Sequence, residues 1–177
     1  MRSLLEQMLT HAHFDADPAD AGSSPTSLRV VVRSVLEEQM PLALARRVDL
    51  GLVGAACDPW VAGREDALQA IVRNLLDNAV RYSPPGGRVD ITLREERDAA
   101  VFEIADEGRG IPEDQRERVF DPFYRVPGST AQGSGLGLSI VKRVADRMGA
   151  VISLSDAWLS ADARGLRVRV RFTTVIA

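Results

Sequence analysis

The chain has 177 residues, with 22 Lys and Arg against 25 Asp and Glu, a formal net charge of −3 and a single cysteine, Cys57. At ~100–200 residues per domain, this length predicts one domain with a short appendage. The 45% apolar and 27% charged residues are typical of a globular protein and exclude a disordered or fibrous one. The acidic balance argues against nucleic acid as a partner, and one cysteine excludes an intrachain disulfide and a cysteine-based zinc site.

The basic residues include only one lysine, Lys142, so phosphate contacts made elsewhere have to come from arginine or from the backbone. The longest uncharged apolar run, residues 50–57, is much shorter than the ~20 residues that span a bilayer. The N-terminus lacks the charged start, apolar stretch and cleavage site of a secretion signal. From these features we expect a soluble chain in a reducing compartment.

The N-terminal quarter is predicted to contain a short helix, a linker and a longer helix. In residues 1–14, apolar side chains recur at the spacing of one helical face. Residues 15–26, rich in Asp, Pro, Gly and Ser, are typical of a linker. A second helix is predicted from residue 26 or 27 to residue 46, and Pro41 is expected to bend it or to end it early.

The rest of the chain mixes helices with short strands. Residues 64–82 have the strongest helical pattern in the sequence. Residues 106–136 are rich in glycine, proline and charge, with a short acidic helix near 113–119, and so long a loop is usually functional or disordered. Because hairpins interrupt the alternation of helices and strands, we expect a helix layer on a mixed sheet. The other predicted elements are strands at 48–53, 60–61, 88–94, 100–105, 151–155 and 166–173 and a helix at 137–148.

The helix at 64–82 carries polar side chains along the edge of its apolar face. At 100° per residue, Asn74, Asn78, Arg81 and Tyr82 line this edge, whereas Asp77 lies on the opposite side. Asparagine is a mediocre helix former, so two of them within one helix need a reason. They are either boundary amides that bond to neighbouring backbone or carbonyl oxygens that face a cation and phosphates. The helix alone slightly favours the former.

A carboxylate followed by glycines stands at the end of the strand predicted at 100–105. Asp106 is followed by Gly108, Gly110 and Ile111. Such a carboxylate can accept a hydrogen bond from the amino group of a base, and the glycines let the backbone approach a planar ligand. A glycine-rich turn with a capping aspartate would give the same pattern.

Glycines also precede the last predicted helix, in the segment Gly133-Ser134-Gly135-Leu136-Gly137-Leu138. Backbone N–H groups and the positive end of the helix dipole make such a segment a potential anion site. It is not a P-loop, because no Gly-Lys-Ser/Thr follows. A flexible loop with glycines at a helix start is the plain alternative.

An aromatic cluster, Phe120-Asp121-Pro122-Phe123-Tyr124-Arg125, lies between the two glycine segments. Aromatic residues in a loop more often anchor it to the core than bind a ligand. Here an anchored base would also position the stretch at 126–133 and bring Arg125 close to a bound phosphate.

The order and spacing of these four segments resemble the catalytic, ATP-binding domain of sensor histidine kinases of two-component systems. The wider family, known as GHKL or Bergerat-fold ATPases, includes gyrase, Hsp90 and MutL. The resemblance covers roughly residues 27–174 and implies an α/β fold, a two-layer sandwich of three helices over a mixed, mostly antiparallel sheet. The catalytic domain is then expected at 27–177. The matching motifs are the N box at 74–82, the G1 box at 106–111, the F box at 120–125 and the G2 box at 133–138.

The resemblance implies roles for the residues of the first two boxes. Asn78, and Asn74 with it, would hold the magnesium ion of Mg-ATP. Arg81 would contact phosphate, and Tyr82 would flank the adenine. Asp106 would accept the adenine amino group, in a base pocket shaped by Gly108, Gly110 and Ile111.

The last two boxes would complete the nucleotide site. Arg125 would contact phosphate, beside Phe120 and Phe123. The G2 box would close over the phosphates as the end of a lid that spans about 112–135. Its contributing residues are Gly133, Ser134, Gly135, Leu136, Gly137 and Leu138.

The implied activity is that of a protein histidine kinase, which moves the γ-phosphoryl group of ATP to a histidine and then to an aspartate of a response regulator. Related ATP hydrolases carry a water-activating glutamate four residues before the magnesium-binding asparagine, where this sequence has Asn74. Without that base, positioning and magnesium would do most of the catalysis. The alternatives are a serine kinase of the anti-sigma type, an ATP hydrolase, or a nucleotide-binding regulatory module without transfer activity.

Residues 1–14 resemble the C-terminal end of the second helix of the dimerisation and phosphoacceptor domain in these kinases. His11 and His13 do not match the pattern around the acceptor histidine, so they are interpreted as solvated residues at the helix end. By analogy with the family, we expect the full-length protein to be a homodimer in the bacterial inner membrane, with this domain in the cytoplasm.

Overall fold

The computed structural model describes residues 25–53, 57–128, 133–157 and 164–174. The helix predicted at 1–14 and most of the linker predicted at 15–26 lie outside these residues. Within the described ranges, the α-helices are α1 (Leu28–Arg46), α2 (Glu65–Tyr82) and α3 (Gly137–Arg147). The strands are β1 (Pro25–Ser27), β2 (Asp49–Val53), β3 (Trp60–Ala62), β4 (Arg88–Glu96), β5 (Ala99–Asp106), β6 (Val151–Ser155) and β7 (Leu166–Thr173).

Five of the strands form one mixed sheet in the order β2-β4-β5-β7-β6. Strand β2 pairs with β4 in parallel, and the other neighbouring pairs are antiparallel. The strands predicted at 88–94 and 100–105 form an antiparallel hairpin, β4–β5, and β1 with β3 forms a separate antiparallel pair. The α/β architecture of three helices and a mixed, mostly antiparallel sheet is therefore confirmed. No helix in the described ranges is long and apolar enough to cross a membrane.

The core lies between the helices and one face of the sheet. A row of cross-strand neighbours on this face contains Leu93, Phe102 and Val170, all fully buried. Each such side chain contributes roughly 1.5–3 kcal/mol by leaving water. The same face continues along β5, so Asp106 stands at its end, level with Val89 and Leu166. A carboxylate thus occupies the last position of a core row.

Helix α1 begins close to where the sequence predicts but continues past its proline. Ser27 caps the helix, because its Oγ accepts a hydrogen bond from the backbone N–H of Val30 at 3.1 Å. The last residues of the predicted linker form β1 instead, since they pair with β3. Pro41 lies inside the helix, which reaches Arg46 as predicted, so of the two expected effects of the proline the early end does not occur. Pro41 and Glu37 are both exposed, and water can therefore satisfy the carbonyl group of Glu37 that the proline leaves without an intrahelical donor.

The acidic helix predicted near 113–119 is replaced by two short 3₁₀ turns, Glu113–Gln115 and Arg118–Phe120. Val119 is the buried residue of the second turn, and the first turn has none. A longer α-helix here would have no apolar face to bury against the core, and its isolated length would be marginal.

Replacing Ser27 with Ala should lower the free energy of unfolding by about 1–2 kcal/mol, measured by chemical denaturation. The helix would lose its cap, and Asp58 would lose the hydroxyl that donates to its Oδ1 at 2.6 Å. Ser34→Ala, on the exposed side of the same helix, is the matched control and should change stability by no more than ~0.5 kcal/mol. Equal stabilities of the two variants would contradict the capping role.

Candidate nucleotide-binding site

A cleft of about 400 Å³ opens between α2, the end of β5 and the segment that leads into α3. Apolar side chains, among them Leu75, Ile104 and Val168, line it together with polar groups from the predicted motifs. Thirteen of the predicted site residues come together here. They are Asn74, Asn78, Arg81, Tyr82, Asp106, Gly110, Ile111, Arg125, Gly133, Ser134, Gly135, Gly137 and Leu138.

Four other predicted site residues do not line the cleft. Gly108 stands behind Asp106 and donates a hydrogen bond to it. Leu136 is buried in the core, Phe120 is half-buried in a 3₁₀ turn, and the Phe123 side chain is largely exposed. None of these four residues therefore lines the cleft itself, and Gly108 contributes to it through Asp106.

Asp106 lies at the inner end of the cleft with 5% of its surface exposed. Its Oδ1 accepts hydrogen bonds from the backbone N–H groups of Gly108 at 2.8 Å and Leu166 at 3.3 Å. Burial raises the pKa of Asp106 to about 6, and the two backbone donors partly oppose this rise. At neutral pH the group is mostly ionised, and its Oδ2 can accept a hydrogen bond from an amino group in the cleft.

The glycines after Asp106 are required by close approach of the backbone. A Cβ atom on Gly108 would lie 2.7 Å from Oδ1 of Asp106 and 2.9 Å from the carbonyl oxygen of Tyr82. Gly110 has a φ of +71°, and a Cβ there would lie 2.7 Å from the carbonyl oxygen of Gly165. Larger residues at either position would therefore push the loop away from the end of α2 or from the start of β7.

The two asparagines of α2 line the helical wall of the cleft. Nδ2 of Asn74 donates a hydrogen bond to the carbonyl oxygen of Ala70 at 2.7 Å, which turns its Oδ1 away from the helix backbone. A Cβ atom on Gly137 would lie 3.1 Å from Nδ2 of Asn78 and 3.5 Å from Oδ1 of Asn74. The first residue of α3 therefore packs against both amides. Asn74 therefore bonds to neighbouring backbone, which is one of the two alternatives that the sequence left open, and it also lines the cleft.

Arg81 is held on this wall by an ion pair. Its Nε donates to Oδ2 of Asp77 at 2.7 Å, one helical turn earlier. The sequence predicted that Asp77 lies away from the functional edge of the helix, and this was wrong, because Asp77 lines the cleft. Helix α3 and the glycine segment before it pack along the flank of α2, which makes the buried arc of α2 wider than the apolar pattern suggested.

The aromatic cluster anchors the loop mainly through Tyr124. Its hydroxyl donates to Oε1 of Gln115, and the Arg118 guanidinium lies 4.5 Å from the centre of its ring. The backbone N–H of Phe123 donates to the carbonyl oxygen of Gly135 at 3.0 Å. This bond joins the F box to the G2 box and fixes both beside the cleft.

Comparison with known proteins agrees with this geometry. Residues 63–175 match the family described as histidine kinase-, DNA gyrase B-, and HSP90-like ATPase. This span contains both walls of the cleft and most of the sheet. The chain belongs to this ATPase family.

Within the family, the similar proteins are sensor kinases. The swarming motility regulation sensor protein RssA of Serratia marcescens is 34% identical over 165 residues, which are 93% of this chain and 34% of RssA. The structure of the mycobacterial sensor histidine kinase MprB superposes with a TM-score of 0.77 at 30% identity and covers 88% of this chain and 100% of the MprB chain. The predicted type, an ATP-binding catalytic domain of a sensor histidine kinase, is confirmed.

A third likeness includes a bound nucleotide analogue in the other protein. Full-length ShkA in complex with AMPPNP superposes with a TM-score of 0.81 at 25% identity, over 98% of this chain and 36% of that chain. The chain spans about a third of the length of the curated relatives it matches.

Several residues of this kinase-type ATPase domain that line the cleft were missed by sequence reasoning. Asp77, Arg109 and Tyr124 lie within or beside the recognised boxes, and the i, i+4 spacing of Asp77 and Arg81 was the one available signal. The apolar lining from β7, Leu166 and Val168, depends on strand pairing across a long connection. The local pattern does not encode that pairing.

Lys142, singled out by its rarity, is absent from the lining of the cleft. Its Nζ pairs with Asp146 at 2.7 Å on the exposed side of α3. The cationic side chains in the lining are the arginines Arg81, Arg109 and Arg125.

Replacing Asp106 with Asn should stabilise the ligand-free domain at pH 7, by about 1–3 kcal/mol. Burial raises the pKa of this carboxyl in the folded state, so folding costs more when it is ionised, while the amide oxygen of Asn can keep both backbone bonds. The advantage should fade as the pH falls from about 6 to below the ordinary carboxyl pKa of 3.8, where the wild-type carboxyl is protonated in both states.

Denaturation at several pH values measures this effect, with Asp98→Asn in the exposed β4–β5 turn as the matched control. A stability gain that does not depend on pH would contradict the role of burial.

Proposed function

We propose that this domain binds Mg-ATP in the cleft and supplies its γ-phosphoryl group to a histidine of a dimerisation domain, from which an aspartate of a response regulator receives it. The observation that carries the proposal is the position of Asp106, a buried carboxylate that lines the same cleft as Asn74, Asn78 and Arg81. Family membership and the similar sensor kinases support the same reading.

The inner end of the cleft fits an adenine base. Oδ1 of Asp106 takes both backbone donors, so Oδ2 is suited to accept from the adenine amino group. Ile104, Ile111 and Val168 line the cleft and would supply apolar surface for the ring, and Tyr82 would flank it. A base bound here would donate a hydrogen bond to the carboxylate and would also exclude water from the apolar side chains.

The donor set on α2 fits a magnesium ion only together with phosphate. Asn74 and Asn78 offer neutral amide oxygens, which are hard ligands suited to Mg²⁺ but carry no charge. Nucleotide phosphates would have to supply the charge. When bound, the ion would neutralise phosphate oxygens as the phosphoryl group leaves.

The remaining groups fit the triphosphate. Arg81 and Arg125 are candidates for direct phosphate contact, since both line the cleft and a guanidinium can pair with two oxygens. Gly133, Ser134 and Gly135 precede α3, where backbone N–H groups attract anions. Arg81 would have to leave Asp77 or share it, so this ion pair keeps the guanidinium oriented until phosphate arrives.

The reaction needs positioning more than acid or base chemistry. The bond between the γ-phosphorus and the bridging oxygen breaks, a phosphorus–nitrogen bond to the acceptor imidazole forms, and ADP leaves. The amide of Asn74 cannot take a proton from water, so hydrolysis lacks a base at this position. Transfer to a nucleophile that is already oriented is favoured over transfer to water.

In the intact protein, we propose that two copies associate through a dimerisation domain. Membrane placement of the full-length protein, with this domain in the cytoplasm, follows the same analogy to sensor kinases.

Asp106→Asn should lower ATP affinity at pH 7.5 at least ~10-fold. The base would lose a hydrogen bond to a buried charge, because an amide that keeps its oxygen on the backbone donors presents its NH₂ group to the amino group of the base. Wild-type affinity should also fall as the pH drops from 7 to 5, since a proton then occupies the carboxylate whose pKa is about 6. Isothermal calorimetry with Mg-ATP measures both effects, with Asp98→Asn as control. Unchanged affinity in Asp106→Asn would contradict the assignment of the base pocket.

Phosphoryl transfer should appear when the domain is mixed with γ-labelled ATP and a separately made helical hairpin that bears the acceptor histidine. Label on the hairpin, and phosphate release near background without it, is the expected result. Asn78→Ala should abolish labelling while the domain stays folded. Brisk phosphate release would instead indicate an ATP hydrolase, label on serine a serine kinase, and nucleotide binding without transfer a regulatory module.

A further inference from the structure

Arg109 connects the loop after β5 to the residues that follow the aromatic cluster. Its guanidinium donates one hydrogen bond to the carbonyl oxygen of Gly128 at 2.8 Å and a longer one to that of Val126 at 3.4 Å. Its backbone lies between Gly108 and Gly110, in the loop proposed to hold the base. One side chain therefore joins this base loop to residues 126–128, which follow the aromatic cluster.

The acceptor carbonyls belong to a turn of defined shape. Gly128 has a φ of +74°, which glycine adopts without strain, and its carbonyl accepts the shorter bond. Val126 directly follows Arg125, and both line the cleft. A bond at Val126 therefore limits how far Arg125 can move from the cleft.

A backbone hydrogen bond holds the chain just before residues 125–128. The hydrogen bond between Phe123 and Gly135 joins the residues that flank 124–134. A Cβ atom on Gly135 would lie 2.7 Å from the backbone carbon of Phe123, so the two chains are in direct contact there. The chain is thus held at Phe123 by a backbone hydrogen bond and at Val126 and Gly128 by Arg109.

We propose that Arg109 is a positioning residue that holds residues 125–128 in place for phosphate binding before the nucleotide arrives. The proposal rests on the proposed function, since it concerns the phosphate end of the same site. Ordering a loop on binding costs conformational entropy, and a tether made during folding removes part of that cost from binding. Loss of the tether should weaken binding of ligands that carry phosphates and spare those that do not.

The test compares Arg109→Ala and Arg109→Lys with wild type, using Arg97→Ala in the exposed β4–β5 turn as the matched control. Amide hydrogen exchange without nucleotide reports the tether, and binding of Mg-ATP and of adenosine reports its consequence. In Arg109→Ala, exchange at the amides of Val126 and Gly128 should accelerate, and ATP affinity should fall roughly five- to tenfold. Adenosine affinity should stay within about twofold of wild type. Arg109→Lys should restore part of the ATP affinity, because lysine can still donate to one carbonyl.

Each other outcome would overturn the proposal. Unchanged exchange in Arg109→Ala would show that the side chain does not tether the loop, and a lower ATP affinity would then reflect direct contact with phosphate. Faster exchange with unchanged ATP affinity would show that the tether does not serve binding. Equal losses for ATP and adenosine would place the effect in the base loop. Failure of the wild-type domain to bind ATP would refute the proposed function itself. The exchange experiment is made without nucleotide, so it tests the tether separately.

Discussion

Burying the ionised carboxylate of Asp106 at the end of a core strand costs folding free energy, and the arrangement of the residues around it follows from that cost. The strand register places it level with Val89 and Leu166, where an apolar side chain would simply extend the core. Loss of hydration raises its pKa to about 6, and two backbone N–H groups compensate in part. The donor from Gly108 is available only if the chain turns back onto the end of its own strand, so the geometry of the loop depends on the carboxylate.

That turn determines where the other parts of the cleft can lie. Gly108 is in contact with the last turn of α2, close enough to the carbonyl oxygen of Tyr82 to exclude a side chain. Its carbonyl accepts a hydrogen bond from Gly165, which fixes the approach to β7. The same end of α2 carries Arg81 and Tyr82, so the base loop and the phosphate-facing residues are fixed by shared contacts. A change at one end of the cleft is therefore expected to disturb the other.

Sequence reasoning identified the helices, the strands and most of the cleft because those features depend on local patterns. The apolar spacing of α2 and the alternation in β4 are visible in any short window. The misses have non-local causes. Pro41 is tolerated because its side of α1 faces water, β1 exists because β3 is available to pair with it, and Asp77 faces the cleft because α3 covers that flank. Arg109 bonds to residues 17 and 19 positions away, which no periodicity encodes.

The choice of amides on α2 links two properties that are otherwise separate. Among the described residues, no group of three or more His, Cys, Asp and Glu side chains could hold a metal ion, and the nearby Asp77 is paired with Arg81. Two neutral oxygens bind a divalent cation weakly, so under the proposed function the ion depends on nucleotide phosphates and binds with them. Because the amide of Asn74 is neutral, it also cannot act as a base that activates water for hydrolysis. A carboxylate there would strengthen metal binding and also promote hydrolysis, whereas an amide keeps the phosphoryl group available for a nucleophile that enters from outside the cleft.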